Sequence, residues 1–491
     1  MESSSALATL ADRAWERTLE LNPTMATVYG DERFDDRLDD PGPAGRAARR
    51  AFAEDVRAGA AAIDPAGLDP EERITRRLLV LVADQQVEDD DLRFDLLGAV
   101  EQQGHQVLLP HLVEFQKADT PERLERLLAR IAAYPALTRA VIGLLDEGRA
   151  AGLTAARVVA ERTIAQLERF LAAPVERSPI VTVPKLADEA DRARLADAVR
   201  AHVRPADAAF LAALRDYLPA TREVPGLCSV PDGERRCAAR IRACTSLDIS
   251  PDELHRRGLE ELEQLEEERR AIAREAGFGD DTAAYRRSLF ADPAEQPPTP
   301  DALVGRCAED VARAMERAPG WFGRLPRATC EVRAVEEVLA GDAPGAYYYP
   351  PAVDGSRPGI YFVNTYDLPS RGYWITASTT YHEAVPGHHF QLAIEMELDG
   401  LPAFRRLAPW PQGTAYVEGW ALYGERVADE MGLFRTPAER FGMLDSIALR
   451  AAREGASFDI RRFHDDVLGR GKLPLATLAR ELPAWHAPAA G

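Results

Sequence analysis

The segment from Tyr381 to Gln391, YHEAVPGHHFQ, holds the densest set of chemically useful side chains in the chain. Three of the nine histidines fall here, and Glu383 directly follows the first of them. Two histidines close together can hold a metal ion, and an adjacent glutamate can take a proton from water. The segment therefore predicts the metal centre of a zinc-dependent hydrolase, with manganese, cobalt or iron as alternative metals.

The spacing of these histidines does not fit one regular helix. His382 and His388 are six residues apart, so on a helix their side chains would point about 120° apart. His389 would face the same way as His382 but would lie roughly 10 Å along the axis. Pro386 and Gly387 permit a wide or π-like turn that brings His388 beside His382. The alternative is a helix whose histidines lie at the surface or only near a site.

A third metal ligand is expected from the segment TAYVEGWALYGERVADE, which follows the histidines. Glu418 and Glu425 are seven residues apart and would share one helix face. Glu418 lies among apolar residues, where a bare carboxylate is costly, so we expect it to bind the metal. A buried ion pair with an arginine is the alternative for Glu418. Glu425 would orient a metal-binding histidine without binding the metal itself, or it would form a surface salt bridge.

Most of the chain is expected to be helical, because Ala, Leu, Arg and Glu dominate and apolar residues recur at intervals of three and four. Helices are predicted over 121–145, 154–171, 188–214 and 250–276, with breaks or kinks at Pro135 and Pro205 and an N-cap at Ser250. Strands are expected in CEVRAV, AYYYPP and GIYFVNT. The Pro/Gly-rich segment 225–233 suggests an N-terminal lobe, 1–225, and a catalytic lobe, 226–491, which together form one compact unit.

The composition of the chain argues against several classes of protein. The 491-residue chain carries 60 Lys and Arg against 80 Asp and Glu, a formal net charge of −20. That balance argues against a nucleic-acid-binding protein, which needs a basic surface. Five cysteines without a CxxC pair argue against a disulfide framework or a cysteine zinc site. We expect a cytoplasmic location without membrane contact, because neither a signal-peptide pattern nor an apolar run of membrane-spanning length is visible.

Three stretches give the chain a family resemblance: PGAYYYPPAVDGSRPGIYFVNTYDL, YHEAVPGHHFQ and YVEGWALYGE. They resemble a widespread bacterial family of unknown function with HExxPGHHxQ and EGWALY motifs, whose members look like zincin-type metallopeptidases. The broader superfamily looks like angiotensin-converting enzyme, the oligoendopeptidases and the thermostable carboxypeptidases. The resemblance implies a mostly α, two-lobed zincin-like fold with a small β-sheet beside the active-site helix and a deep channel over the zinc.

The resemblance also implies roles for individual residues. His382, His388 and Glu418 would be the metal ligands, and Glu383 would be the general base. His389 and Gln391 would line the site. The segment RPGIYFVN would form the edge strand beside the zinc, where an extended peptide can add as a further strand. Its substrate-binding residues would be Arg357, Tyr361 and Asn364, with Arg357 paired to a substrate carboxylate or held in a structural salt bridge.

The sequence departs from the family pattern after Arg453, where EGASFDIRRFHDD follows at once. Typical members carry there an additional helical stretch with a tyrosine-bearing PGQA-like motif. If that stretch normally supplies an oxyanion donor or closes the channel, this protein lacks that feature. Either a histidine or another tyrosine substitutes for it, or the protein has drifted to another metal-dependent reaction. The tyrosines near the motifs are Tyr373, Tyr381, Tyr416 and Tyr423, of which we expect Tyr416 and Tyr423 to be catalytic.

The residues and the resemblance together predict a zinc-dependent hydrolase that cleaves peptide or amide bonds of short peptides. We expect a monomer or homodimer. The alternative is a different metal-dependent enzyme on the same scaffold, such as a lyase, a cyclase or a small-amide hydrolase of a biosynthetic pathway. A non-catalytic binding protein is a third possibility, which the intact His-Glu-His-His cluster argues against.

Overall fold

The computed structural model describes residues 2–341, 343–408, 413–448, 472, 474 and 475. Within these residues the protein is mostly helical with a small three-stranded sheet, as the sequence predicts. The chain divides into two compact units. One comprises residues 1–240 with 402–404, and the other comprises 241–401 with 405–491.

Helices make up the first unit. In chain order they are α1 (Glu2–Leu21), α2 (Pro23–Val28), α3 (Pro43–Ala62), α4 (Pro70–Asp91), α5 (Phe94–Leu97), α6 (His105–Leu112), α7 (Pro121–Ala151), α8 (Arg157–Ala172), α9 (Pro179–Thr182), α10 (Asp191–Ala198), α11 (Arg204–Tyr217) and α12 (Gly233–Thr245). A π-helical segment, Val199–Val203, lies between α10 and α11 and interrupts the helix predicted over 188–214.

Helix α7 is the centre of the first unit's core. Thr120 caps it by accepting a hydrogen bond from the backbone of Arg123. The helix continues through Pro135, so of the break or kink predicted there, the break does not occur. Its apolar face, which includes Leu124 and Ile131, is buried in that core. By length and composition alone, α7 is the one described helix that could cross a membrane, but 44 % of its most apolar window is buried inside the protein. Burial of this kind is ordinary for a core helix.

The boundary between the units falls later than the predicted position at residue 225, because it lies inside α12. Ala239 on this helix packs against Leu92 and Phe94. The guanidinium of Arg240 lies 3.9 Å from the centre of the Phe94 ring, a cation–π contact. These contacts assign the first part of α12 to the first unit, so the loop at 225–233 is internal to it.

The second unit contains the sheet and the remaining helices. They are α13 (Pro251–Glu275), α14 (Thr282–Ala291), α15 (Pro300–Arg317), β1 (Cys330–Ala334), α16 (Glu337–Ala340), β2 (Ala346–Tyr349), β3 (Gly359–Val363), α17 (Tyr373–Glu383), α18 (His388–Met396), α19 (Ala403–Leu407), α20 (Thr414–Glu430) and α21 (Pro437–Ala448). The first two residues of α19 are grouped with the first unit. Ser250 caps α13 as predicted, by accepting a hydrogen bond from the backbone of Glu253.

All three predicted strands form, but their order corrects one expectation. The order is β1-β3-β2, with β1 parallel and β2 antiparallel to β3. Every residue of β3 is buried. The prediction that RPGIYFVN forms the edge strand is therefore wrong. The run GIYFV is apolar on both faces, which is typical of a central strand covered on both sides.

Candidate metal centre

The two histidines predicted to bind a metal, His382 and His388, come from two helices joined by a sharp break. Helix α17 ends at Glu383 and α18 begins at His388, and the peptide bond between Val385 and Pro386 is cis. The imidazole rings of His382 and His388 are 4.7 Å apart between centres. The structure brings these rings together as the sequence predicts, by a complete break of the helix and not by a wide or π-like turn.

Two glycines allow this break to pack tightly. A Cβ atom on Gly387 would lie 1.8 Å from the carbonyl oxygen of His382, a distance that no side chain can occupy. A Cβ atom on Gly424 of α20 would lie 3.2 Å from the Cα atom of Gly387. The indole N–H of Trp420 donates to the carbonyl oxygen of Pro386 at 2.8 Å. The break is thus held against α20 by close backbone contact and one side-chain hydrogen bond.

His382, Glu383 and His388 form a compact donor set. One ligand atom from each lies within 4.8 Å of the other two, and all three residues are buried. The Oε2 atom of Glu418 lies 3.6 Å from Nε2 of His382, and its Oε1 atom lies 3.8 Å from Nε2 of His388. Ligands of a tetrahedral zinc are roughly 3.3 Å apart when each is about 2 Å from the metal. The two histidines and Glu418 therefore fit the ligand set of one zinc ion.

Glu425 contacts the ring nitrogen of His382 that faces away from this set. Its Oε1 atom lies 2.9 Å from Nδ1 of His382, and Ser378 donates its hydroxyl to Oε2 of the same carboxylate. A carboxylate at Nδ1 fixes the proton there and leaves Nε2 as the lone-pair donor. Of the two roles expected for Glu425, the structure fits the one in which it orients a histidine, because the carboxylate is fully buried.

The surroundings of Glu418 differ from the sequence expectation. Its side chain is 54 % exposed, whereas the neighbouring apolar residues suggested a buried carboxylate. On α20 the apolar side chains of Tyr416 and Trp420 turn into the core, and Glu418 projects from the other side of the helix toward the histidines. The argument that burial forces Glu418 to bind a metal is therefore wrong. Its position opposite both imidazoles supports the same assignment.

The tyrosines near the motifs occupy different environments. Tyr416 is buried, and desolvation raises its pKa well above the ordinary value. Tyr423 is half-buried and packs edge-on against Trp420, with ring centres 5.7 Å apart. The hydroxyl of Tyr381 donates to the carbonyl oxygen of Leu433 at 3.0 Å. Tyr381 thus anchors α17, and a catalytic role for Tyr416 or Tyr423 stays a prediction.

A buried ionic cluster holds Tyr381 and thereby the end of α17. Asp310 on α15 is almost fully buried and lies 2.5 Å from Arg435, 3.0 Å from Arg313 and 3.3 Å from Arg306. Arg313 also donates to the Tyr381 hydroxyl at 2.7 Å. Because Tyr381 directly precedes His382, this cluster fixes the position from which the imidazole projects.

Two residues predicted to bind substrate belong to the scaffold. Tyr361 is fully buried in the core of the second unit, and its hydroxyl lies 3.2 Å from that of Thr380. The amide nitrogen of Asn364 donates to the carbonyl oxygens of Ala340 and Ala343 at 2.8 and 3.1 Å. These contacts consume the polar groups that a substrate would need, so the assignment of both residues to substrate binding is wrong.

His389 and Gln391 are also buried, each with 1 % exposure. Nδ1 of His389 lies 2.9 Å from the hydroxyl of Tyr348 on β2, and burial lowers the pKa of the ring to about 4. The amide of Gln391 donates to Glu395 at 2.6 Å. His389 thus ties α18 to β2, whereas the Gln391 contact lies within α18. Both side chains are buried, contrary to the expectation that they line the site. Arg357, the remaining candidate, is half-buried and borders a cleft.

Sequence reasoning missed Ser378, Trp420 and Tyr348. Ser378 precedes His382 by four residues, so it lies on the same face of α17, and that spacing could have identified it. Trp420 and Tyr348 contact partners that are distant in the sequence. Their spacing gave no signal of these contacts.

The family model described as "Bacterial protein of unknown function (DUF885)" matches residues 23–454, most of the chain. The chain belongs to the DUF885 family. No curated protein matches it significantly.

Solved structures extend the DUF885 comparison to the fold. A protein described as "the putative lipoprotein from Colwellia psychrerythraea" matches with a TM-score of 0.89 and 22 % identity, over 98 % of this chain and 99 % of that one. "A putative lipoprotein of unknown function from Shewanella oneidensis" matches with a TM-score of 0.61 and 18 % identity, over 90 % of this chain and 80 % of that one. At these identities, the comparison shows a shared fold alone.

Proposed function

We propose that this DUF885 protein is a zinc-dependent hydrolase that cleaves peptide or amide bonds of short peptides, on a two-lobed zincin-like fold. One observation carries the proposal: both Nε2 atoms face the Glu418 carboxylate, at 3.6 and 3.8 Å, while Glu425 occupies Nδ1 of His382. Catalytic zinc sites commonly use two imidazoles and one carboxylate as ligands. A second carboxylate often accepts a hydrogen bond from one of these imidazoles and so orients it.

Different residues would bind the metal and transfer the proton. His382, His388 and Glu418 would hold the zinc ion, and Glu425 with Ser378 would orient His382. When bound, zinc polarises a carbonyl oxygen and lowers the pKa of a coordinated water to about 7. Glu383 offers its carboxylate oxygen beside the two imidazoles, where it can take a proton from the attacking water and deliver it to the leaving amine.

The sharpest test of this assignment is Glu383→Gln, because it removes the base and retains the ligands. We expect this variant to keep the metal content of the wild-type protein and to lose activity on a short-peptide library by about 100-fold or more. His388→Ala should lose both metal and activity. Retention of full activity by Glu383→Gln would contradict the role of the base.

The alternative reaction on the same scaffold was suggested by the shortened region after Arg453. That region lies outside the described residues. No contact among the described side chains favours a lyase or a cyclase over a hydrolase. We therefore propose peptide or amide hydrolysis alone.

The sequence and the structural neighbours suggest different locations for the protein. The expectation of a cytoplasmic protein comes from sequence, whereas both structural neighbours are called putative lipoproteins. Lipoproteins are tethered to a membrane by covalently attached acyl chains, so their names conflict weakly with a cytoplasmic location. Fractionation of the producing cells, with detection of the intact protein, would decide between the cytoplasm and a membrane-tethered location.

A further inference from the structure

The first three turns of α13 expose leucines on the side of the helix that its later turns bury. At 100° per residue, Leu254, Gly258, Leu262 and Leu265 fall within an arc of about 80°. From Leu265 onward this side packs against α14 and α21 in the core of the second unit. Before Leu265 the same side is open. Leu254 is 40 % exposed, Leu262 is 38 % exposed, and Leu259, which borders Leu262, is 54 % exposed.

Leu254, Leu259 and Leu262 are called here the leucine stripe. Single exposed leucines are ordinary on a protein surface, whereas neighbouring apolar side chains rimmed by charged ones are typical of a contact surface. The stripe has such a rim, because the other residues of the first three turns are mostly charged. It therefore extends the apolar side of α13 beyond the point where the second unit covers it.

Gly258 lies in the middle of the leucine stripe. A Cβ atom at this position would meet nothing within 4 Å among the described residues, so the packing of the protein itself does not require a glycine there. Glycine inside a helix is unfavourable relative to alanine, because it loses more conformational freedom on folding. A glycine at this position does allow the backbone of another helix to approach closely.

The charges on the two sides of Gly258 indicate what that other helix is. Arg256 and Arg257 precede the glycine, whereas the segment 260–263 carries three glutamates. A second copy of α13 that crosses antiparallel at this point places each positive segment beside the negative segment of the other copy. A parallel pair would instead align like charges. The segment is thus complementary to itself, as a dimer with two-fold symmetry requires.

The contacts that these arginines make within α13 are compatible with such a dimer. Arg256 and Arg257 lie 2.7 and 2.8 Å from the carboxylate of Glu253, and Arg256 also pairs with Glu260. The two arginine side chains are half or more exposed. Ion pairs at exposed positions contribute little to stability, so the same guanidinium groups can also face the carboxylates of a second copy at small cost.

We propose that the first three turns of α13 form the interface of a homodimer, in which two copies of α13 cross antiparallel near Gly258 and bury the leucine stripe. Each copy contributes the same surface, so the contact closes on itself and does not extend into a filament. The inference does not rest on the proposed function, because α13 contributes no residue to the candidate metal centre.

Sedimentation velocity of the full-length protein between about 1 and 100 µM tests the proposal, because so small an interface predicts a dissociation constant in this range. Leu259→Glu places a charge in the stripe and should raise the dissociation constant about tenfold or more. Val158→Glu is the matched control. Val158 is a 43 % exposed valine on α8, and this variant should dimerise like the wild type. Circular dichroism checks that both variants are folded.

An exchange of charge tests the antiparallel orientation. Changing Arg256 and Arg257 to glutamate makes both segments negative, so dimerisation should weaken severalfold at low ionic strength. Adding Glu260→Arg and Glu261→Arg makes the two segments opposite in charge again and should restore dimerisation. In a parallel dimer the second pair of changes would restore nothing, because like segments would still be aligned.

Three results would overturn the proposal. The first is a wild type that stays monomeric over the whole range of concentration, and the second is a dimer that Leu259→Glu leaves unchanged. The third is a four-residue variant that fails to regain dimerisation, which would exclude the antiparallel crossing. A monomeric wild type whose unfolding free energy falls in Leu259→Glu would assign the stripe to a contact within one chain. None of these measurements depends on metal or on catalysis.

Discussion

The Nδ1 atom of His382 lies 2.9 Å from the Oε1 atom of Glu425, a fully buried carboxylate on α20. Glu418, seven residues earlier on α20, faces the opposite nitrogen of the same ring at 3.6 Å. Helix α20 thus places a carboxylate beside each nitrogen of the His382 imidazole. This arrangement orients His382 before any metal binds, and it explains why a carboxylate is placed in a buried position that would otherwise be costly.

Glu425→Gln tests that orientation. The substitution keeps the size of the side chain but removes the charge that stabilises the proton on Nδ1, so we expect zinc affinity to fall about 10- to 100-fold. Competition with a fluorescent chelator measures the change. Glu430→Gln, at the exposed end of the same helix, should have no effect. Equal zinc affinity for Glu425→Gln and the wild type would show that Glu425 does not orient the ligand.

Gly387→Ala tests the break between α17 and α18. An added Cβ atom must move the carbonyl oxygen of His382, so we expect a loss of ~3 kcal/mol of unfolding free energy together with a loss of metal binding. Urea unfolding and metal analysis measure the two effects. Gly419→Ala is the control, since its Cβ atom would meet open space on α20 and should slightly stabilise the helix. A variant Gly387→Ala that is as stable and as metal-loaded as the wild type would refute the packing argument.

Asp207 should make the unfolding free energy of the first unit depend on pH. Burial raises its pKa to about 7, partly offset by the hydrogen bond from the Tyr134 hydroxyl at 2.7 Å and by the charge of Arg204. The folded protein then binds a proton more tightly than the unfolded chain does. The stabilisation from this proton is complete below about pH 4 and is lost as the pH rises to about 7.

Asp207→Asn should remove this dependence. Relative to the variant, the wild type should lose about 1.6 kcal/mol of unfolding free energy between pH 5.5 and pH 7, because the slope of ~1.4 kcal/mol per pH unit falls to half its value as the pH reaches the folded pKa of about 7. Urea unfolding of both proteins across this range measures it. The nearby His105, whose pKa burial lowers to about 4, acts in the opposite direction, but it is present in both proteins. A constant difference between the two proteins would refute the raised pKa.

The sequence predicted the parts of the fold that depend on local signals. The Ser250 cap, the mostly helical chain and all three strands follow from residue propensity and spacing. The central position of β3 could not be predicted, because it depends on β1 pairing in parallel from a distant part of the chain. The continuous helix through Pro135 likewise depends on tertiary packing.

In the candidate site, too, local sequence signals identified some residues, whereas the roles of others depend on tertiary packing. The residue types and spacing identified His382, Glu383, His388, Glu418 and Glu425, which the structure brings together. The predicted substrate contacts failed where they depended on which way a side chain faces. Tyr361 points into the scaffold because β3 is covered on both sides. Asn364, which directly follows β3, is held by the carbonyl oxygen of Ala340.

The metal content of the purified protein tests the central claim most directly. Elemental mass spectrometry should find about one zinc per chain in the wild type and in Glu430→Gln, and much less in His388→Ala and Glu418→Ala. Circular dichroism would confirm that the variants remain folded. A wild-type protein without metal, even after incubation with zinc, or variants that retain a full equivalent, would contradict the assignment of the histidines and Glu418 as a metal centre.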